Sequence, residues 1–415
     1  MTMKKYTGTK EAERQYIYDL ISGIVERCPR RAPTSEDERQ AQLIMQEEFR
    51  KIGLDTDLRP FKYNRSLYAN IALHFGLGSL GTAVSGLAPH LGLALHGLAA
   101  GSYWRESMRK GYLLRRVFPF RDSQNLLATM PAATGEPTLR VVFVSHADAA
   151  FTGLIFSDFA VEKLGGNPPP ALSFLKRSME LATKSQAALA GFDALRTVFG
   201  PLTWPLRPIE YALNLPGFLA FILNMEVVLR NQVVPGAADN LSGSAVMPVL
   251  AKRLGPDKPA DVEYVFVVTG CEEASLGGSD ALAREMEGVW DKDKTVIIGL
   301  DGLTNGQLQY IHTEGEVTPL PMPAWLRNTV EEAKQGEERF AAVKGYAIPV
   351  GGTDVAAFLA RGFAGVCLTA VDERRGAPRH YHQMSDTPAN MDMDELMYSL
   401  DFAEHLARTL IKQRR

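Results

Sequence analysis

The sequence predicts an α/β fold, a mostly parallel central sheet with helices on both faces and helical apolar insertions. Short, nearly continuous apolar strands such as Leu139–Ser145, Val262–Thr269 and Thr295–Leu300 alternate with stretches whose apolar residues recur at helical spacing. Potential metal-binding and acid–base residues then fall just beyond those strands, at the edge where open α/β sheets build their sites.

Along the chain, Lys10–Glu26 carries Tyr16, Ile17, Leu20, Ile21 and Ile24 on one helical face. A second helix follows Ser35, with Glu38 placed to complete a capping box, and ends at Gly53. Leu54–Phe61 and Asn125–Thr129 read as short strands before the stronger Leu139–Ser145. The turn-rich V-P-G-A-A-D-N-L-S-G leads into a helix over Leu241–Leu254. Strand Val262–Thr269, helix Gly278–Glu287 and strands Thr295–Leu300 and Gln307–Ile311 follow. Helices Ala324–Lys334 and Thr353–Arg361, strand Ala364–Ala370 and a long helix Met393–Lys412 complete the pattern.

Two segments depart from it. Ser66–Trp104 contains no Asp, Glu, Lys or Arg, and Pro89 divides it near its middle, which suits a bend better than one straight bilayer span. This predicts a helical hairpin with Pro89 and His90 near its tip. Lys62, Arg65, Arg105, Arg109, Lys110, Arg115 and Arg116 flank the run, and Tyr68, Tyr103 and Trp104 stand where interfacial aromatics would. The second segment, 149–230, holds the apolar run Leu213–Val228, interrupted by Pro216 and Glu226. Membrane contact through 66–104 and 213–228 is expected, with an apolar lid or a homodimer interface as the alternative. His74, His90 and His96 have no nearby carboxylates in sequence and are read as locally hydrogen-bonded.

Composition sets further bounds. A formal net charge of -3 over 415 residues argues against nucleic acid as a partner. Cys28, Cys271 and Cys367 are scattered and odd in number, so no disulfide framework is expected and a reducing compartment fits. The N-terminus turns charged where a secretory signal would be apolar. A cytoplasmic location, against the inner face of the membrane, follows as the expectation.

The site candidates are His146 and Asp148 in S-H-A-D, Asp239 in the turn-rich loop, Glu272 and Glu273 in C-E-E-A-S-L-G, Asp301 in G-L-D-G, and Tyr381 and His382 in R-H-Y-H-Q-M-S-D-T-P. An imidazole with an acid two residues on suits a metal ligand with an orienting partner. Adjacent acids in a turn point in different directions, one toward a metal and the other toward a substrate proton. Asp239 taken alone reads first as a turn residue that caps the next helix, and only the other candidates change that.

Taken together, these motifs resemble the co-catalytic zinc aminopeptidases and glutamate carboxypeptidases of metallopeptidase family 28. The resemblance covers 1–65, 105–148 and 231–415, which it makes the catalytic unit, and leaves 66–104 and 149–230 as insertions outside the family pattern. It implies two zinc ions, other divalent metals being alternatives, with Asp239 bridging, His146 and Asp301 on one ion, and Glu273 and His382 on the other. Glu272 resembles the general base, Asp148 the partner of His146, and Tyr381 a hydroxyl aimed at the oxyanion. His380 is a rival for His382, which alone stands four residues before Asp-Thr. Glutaminyl cyclases resemble a one-metal version without the first histidine, and His146 argues against that class.

The implied function is hydrolysis of peptide amide bonds, by default as an aminopeptidase. Hydrolysis of lipidated peptides or N-acyl amino acids at the membrane is the alternative. A catalytically dead membrane adaptor is a third reading, opposed by the complete ligand set. Arg374, Arg375 and Arg379 form either a fork for a substrate carboxylate or a solvated loop.

Overall fold

The computed structural model describes residues 8–166, 173 and 176–414. Helices α1 (Lys10–Arg27) and α2 (Glu36–Lys51) precede strand β1 (Asp55–Tyr63), and the hairpin α3 (Leu67–Val84) and α4 (Pro89–Ser107) leads to β2 (Arg121–Met130) and β3 (Leu139–His146). The short α5 (Asp158–Ala160) and the long α6 (Ser178–Phe199) and α7 (Arg207–Arg230) form the second insertion. Then come α8 (Ser242–Leu254), β4 (Val262–Thr269), α9 (Gly277–Met286), β5 (Thr295–Leu300), β6 (Gln307–Glu314) and β7 (Leu320–Pro321). The chain ends with α10 (Ala324–Gly336), β8 (Lys344–Ala347), α11 (Asp354–Leu359), β9 (Ala364–Val371) and α12 (Met393–Arg414).

The sheet runs β1-β2-β4-β3-β5-β9-β6-β7, with β8 beside β6. Its middle, β4-β3-β5-β9, is parallel, while β1, β2, β7 and the β6–β9 pair are antiparallel. The sheet is therefore mixed, with its main parallel part in the central strands buried on both faces and one further parallel pair, β6 with β8, at the edge. Alternate residues separate cleanly: Val141 and Phe143 join the core under α1, α2, α8, α10 and α12, and Val142 and Val144 join the one under α9 and α11.

Two local expectations are corrected. Ser35 caps α2 by accepting from the Glu38 amide at 3.1 Å, but the Glu38 carboxylate bonds Thr34 N–H at 3.0 Å and Cys271 N–H at 2.7 Å. That carboxylate therefore ties the start of α2 to the turn ahead of Glu272. Pro216 does not interrupt the second apolar run, because α7 continues through it from Arg207 to Arg230. Proline removes one amide donor from a helix whose other turns remain bonded.

The insertions make one four-helix bundle. Pro89 stands in the first turn of α4, and α7 lies against α3, where a Cβ on Gly76 would stand 3.0 Å from the Phe221 ring. Tyr68 and Tyr103 are buried rather than interfacial, and Tyr103 donates to Glu316 at 2.8 Å. Of the basic flanks, Arg109 and Arg115 turn inward to bond the Ser275 and Ala274 carbonyls at 2.9 and 2.8 Å. Buried guanidinium groups need such acceptors, so these residues fasten the bundle to the turn that follows β4.

The loop before α8 is stitched to its neighbours. Asn240 donates to the Leu300 carbonyl at 3.0 Å and accepts from Gly243 and Gly302 amides, and Ser244 donates to the His146 carbonyl at 2.9 Å. A Cβ on Gly243 would collide with the Leu300 carbonyl oxygen and stand 2.6 Å from Ser145 Oγ. Gly243→Ala is expected to lower stability by ~2 kcal/mol and to weaken divalent-cation binding, since Asp301 follows Leu300. Urea unfolding together with cation titration of the variant checks both.

Candidate metal centre

Five strand ends and loops converge at the carboxyl edge of the parallel strands. His146 ends β3, Glu272 and Glu273 follow β4, Asp301 follows β5, His382 lies in the loop after β9, and Asp239 lies in the loop entering α8.

Asp239 is the meeting point. Its Oδ1 lies 3.4 Å from His146 Nε2 and its Oδ2 lies 3.2 Å from His382 Nε2. On the His146 side, Glu272 Oε2 is 3.7 Å and Asp301 Oδ1 3.8 Å from the same Nε2. On the other side, Glu273 Oε1 is 3.3 Å from His382 Nε2. The donor atoms of His146, Asp239 and Glu273 lie within 4.8 Å of one another, as do those of His146, Glu272 and Asp301. His380 is directed elsewhere, with Nδ1 2.8 Å from Ser385 Oγ.

Further carboxylates hold the ligand loops by backbone amides. Asp148 accepts from the Glu272 and Glu273 amides at 3.1 and 2.9 Å, while its carbonyl holds His146 Nδ1 at 3.0 Å and its Oδ1 lies 3.6 Å from the same nitrogen. A carbonyl only accepts, so Nδ1 carries a proton and Nε2 faces the centre. Asp386 accepts from the Ala238 and Asp239 amides at 2.7 and 3.1 Å. Arg31, wholly buried, bonds the carbonyls of Ala147, Pro235 and Gly236, joining the His146 loop to the Asp239 loop.

Like charges in a buried space shift their own titration. Burial, with Glu273 and Asp301 nearby, holds Glu272 well above the carboxylate range although His146 opposes it. Burial raises Glu273 and Asp301 as well. Asp239 moves down: burial disfavours its charge, but bonds from His146 and His382 outweigh that. Burial would lower both imidazoles, yet the surrounding carboxylates push His382 up to about 10 and His146 well above its usual value.

These residues fit a zinc-type cation on the chemistry of the donor set. Imidazole nitrogens and carboxylate oxygens are zinc ligands, and Glu273 Oε1 is buried without a hydrogen-bond partner. One carboxylate lies between two imidazoles, each with a further carboxylate beside it. Over His382 lies an aromatic wall: Tyr381 stacks at 3.9 Å between ring centroids, Phe156 approaches to 4.4 Å, and Tyr68 Oη is 3.4 Å from Nδ1.

Sequence reading brings out the residues facing the centre but not Tyr68, Phe156, Arg31 or Asp354. Asp354 is buried, bonds Thr269 Oγ1 at 2.8 Å and is raised by burial to about 6. Its place after G-G-T at a helix start was the available signal, though an N-terminal helical Asp is common. Tyr68 lies in the apolar insertion, where its sequence position suggests an interfacial aromatic rather than a neighbour of His382. The arginine loop is engaged: Arg375 pairs with Asp158 at 2.8 Å, and Arg379 lies 3.6 Å from Glu395.

Residues 225–406 match the model of peptidase family M28. No match to the chain was found among curated protein sequences. Among solved structures, the fold is similar to a zinc aminopeptidase from Bacillus subtilis at 14% identity and a TM-score of 0.55, over 95% of this chain and 94% of that one. An aminopeptidase from Aneurinibacillus sp. strain AM-1 matches at 13% identity and 0.53, over 95% and 93%. Fimbriiglobus ruber glutaminyl cyclase matches at 13% and 0.55, over 98% and 97%.

The raised imidazoles have a measurable consequence. Without a cation both rings keep a proton above their ordinary range, so a cation must displace protons, and affinity rises with pH until those protons are gone. Uptake of zinc at pH 7 is expected to release about two protons. Calorimetry in buffers of different ionisation enthalpy reads that number.

Proposed function

We propose that the chain, whose residues 225–406 match the model of peptidase family M28, is a two-zinc aminopeptidase. The observation that carries this reading is the Asp239 carboxylate, whose two oxygens face two different histidines. His146 and Asp301 would complete one zinc site and Glu273 and His382 the other. When bound, zinc supplies an acidified water and polarises the scissile carbonyl.

The chain's own residues do the rest. Glu272, adjacent to a ligand but not needed as one, takes the proton of the attacking water and returns it to the leaving amine. Burial raises its affinity for protons, which suits that exchange. Burial and the carboxylates Asp239 and Glu273 keep the Tyr381 hydroxyl protonated, so it donates to the oxygen on which negative charge develops. Asp148 is a positioning residue that fixes the Glu272–Glu273 turn through its amides. Phe156 and Tyr68 exclude water beside His382.

One observation favours the amino-terminal reading: Arg375 and Arg379 are held by carboxylates rather than left to grip a substrate carboxylate. Against cyclisation stands His146, which completes a second cation position.

Glu272→Gln is expected to keep zinc content and fold while lowering kcat by 10²–10⁴-fold, roughly the worth of one acid–base group. Assay with a free-amino peptide, its N-acetylated form and an N-terminal glutaminyl peptide separates the alternatives. Cleavage of the first alone supports the proposal, and cyclisation of the third without hydrolysis of the first overturns it.

A further inference from the structure

The bundle of α3, α4, α6 and α7 has an apolar core of Ile71, Phe75, Tyr103, Met179 and Ala182 at one end, but toward its tip it is polar inside and apolar outside. Helix α7 buries Glu210, Asn214 and Asn224 while exposing Ile209, Leu215, Phe218, Leu219 and Ile222. The distal part of α6 buries Asp193 and Arg196 and exposes Leu195, Val198 and Phe199. Inside, His96 Nδ1 lies 2.7 Å from Asp193, Arg196 bonds Glu210 at 3.0 Å and also bonds Ser85, and Arg207 bonds Glu210 at 2.9 Å. In water this polarity is reversed: charges are desolvated and aliphatic side chains are left exposed.

Hydrocarbon reverses the requirement. The charged residues of 185–225 are Asp193, Arg196, Arg207 and Glu210, two of each sign, and they pair with one another; Ser66–Trp104 has none. Intramembrane charges face the bundle interior and pair in this way. The small residues Gly78, Gly81 and Gly92 let the helices approach, since a Cβ on each would meet Gln186, His96 or Asp193 at 3.0 Å or less.

The apolar exterior surrounds the bundle and covers its end. Leu80 on α3 and Leu91 on α4 are each half exposed, and the tip residues Leu87 and Leu202 are 94% and 82% exposed. A protein partner covers one face, whereas a bilayer surrounds all sides. Ser178–Arg230 is long and apolar enough to cross a membrane, with 22% of its most apolar window buried in the protein. The tips of both hairpins lie together, with Leu87, Trp204 and Arg207 lining one hollow. Helices of 18 and 19 residues reach about 27 Å, against about 30 Å of hydrocarbon.

We propose that this bundle is immersed in the hydrocarbon of a lipid bilayer, both hairpins entering and leaving on the side of the catalytic unit. Tyr68, in the first turn of α3, touches His382, so the metal centre lies at the level of the membrane interface. Exposed Arg105, Lys110 and Arg116 stand at the base beside Trp104, the arrangement of a cytoplasmic face.

The test uses the full chain, extracted in detergent and reconstituted into vesicles of phosphatidylcholine and phosphatidylglycerol. Expected are retention in carbonate-washed membranes, vesicle flotation, and quenching by brominated lipid that Trp204→Phe diminishes. Leu87→Glu with Leu202→Glu, both at exposed positions, is expected to lower flotation at least about tenfold without changing the circular dichroism. A detergent-free monodisperse monomer, a soluble dimer that does not float, or a double variant that floats like the parent would each overturn the proposal. Peptide hydrolysis is read separately, so failure of the membrane proposal leaves the aminopeptidase reading standing.

Discussion

Four carboxylates, Asp239, Glu272, Glu273 and Asp301, meet two imidazoles in a space nearly closed to water, and that concentration of negative charge governs the structure around it. Such groups repel one another and lose hydration, so the arrangement calls for cations and for a rigid frame. The frame is supplied by further buried carboxylates that touch backbone amides. Asp148 holds the Glu272–Glu273 turn, Asp386 the Asp239 loop and Glu38 the Cys271 amide. Burial pushes Asp386 up to about 7 and Glu38 to about 8. Arg31 answers part of this charge from within, bonding the loops on either side of the centre.

The catalytic unit and the bundle are mechanically one. Arg115 and Arg109, leaving α4, donate to the carbonyls of Ala274 and Ser275, directly after the acidic pair. Tyr68 reaches His382 from the other hairpin arm, and Phe156, ahead of α5, closes the same ring. The insertions therefore contribute side chains to the site's wall and brace the turn that carries Glu272. A change in how the bundle is seated would reach the Glu272–Glu273 turn through two hydrogen bonds.

Much of this was legible in the sequence for physical reasons that can be named. The parallel strands are apolar on both faces, so β4 and β5 are read to the residue, and the ligands sit at strand ends where the chain must turn. The hairpin was legible because Ser66–Trp104 lacks charge and Pro89 suits a helix start. What escaped depends on long-range contact. Arg109 and Arg115 look like exposed flanks until the structure supplies buried carbonyls, and Tyr68 looks interfacial until His382 lies beside it. The inverted polarity of α6 and α7 was hidden because their buried acids, bases and amides are spaced among leucines without marking a face.

The central claim is that Asp239 bridges two ions. Crystals of the zinc-loaded protein, measured on either side of the zinc absorption edge, test it most directly. The account predicts two anomalous peaks about 3.5–4 Å apart, one beside His146 and one beside His382, with the Asp239 carboxylate between them. A single peak at full zinc loading, or a pair that leaves Asp239 outside its coordination, would contradict it.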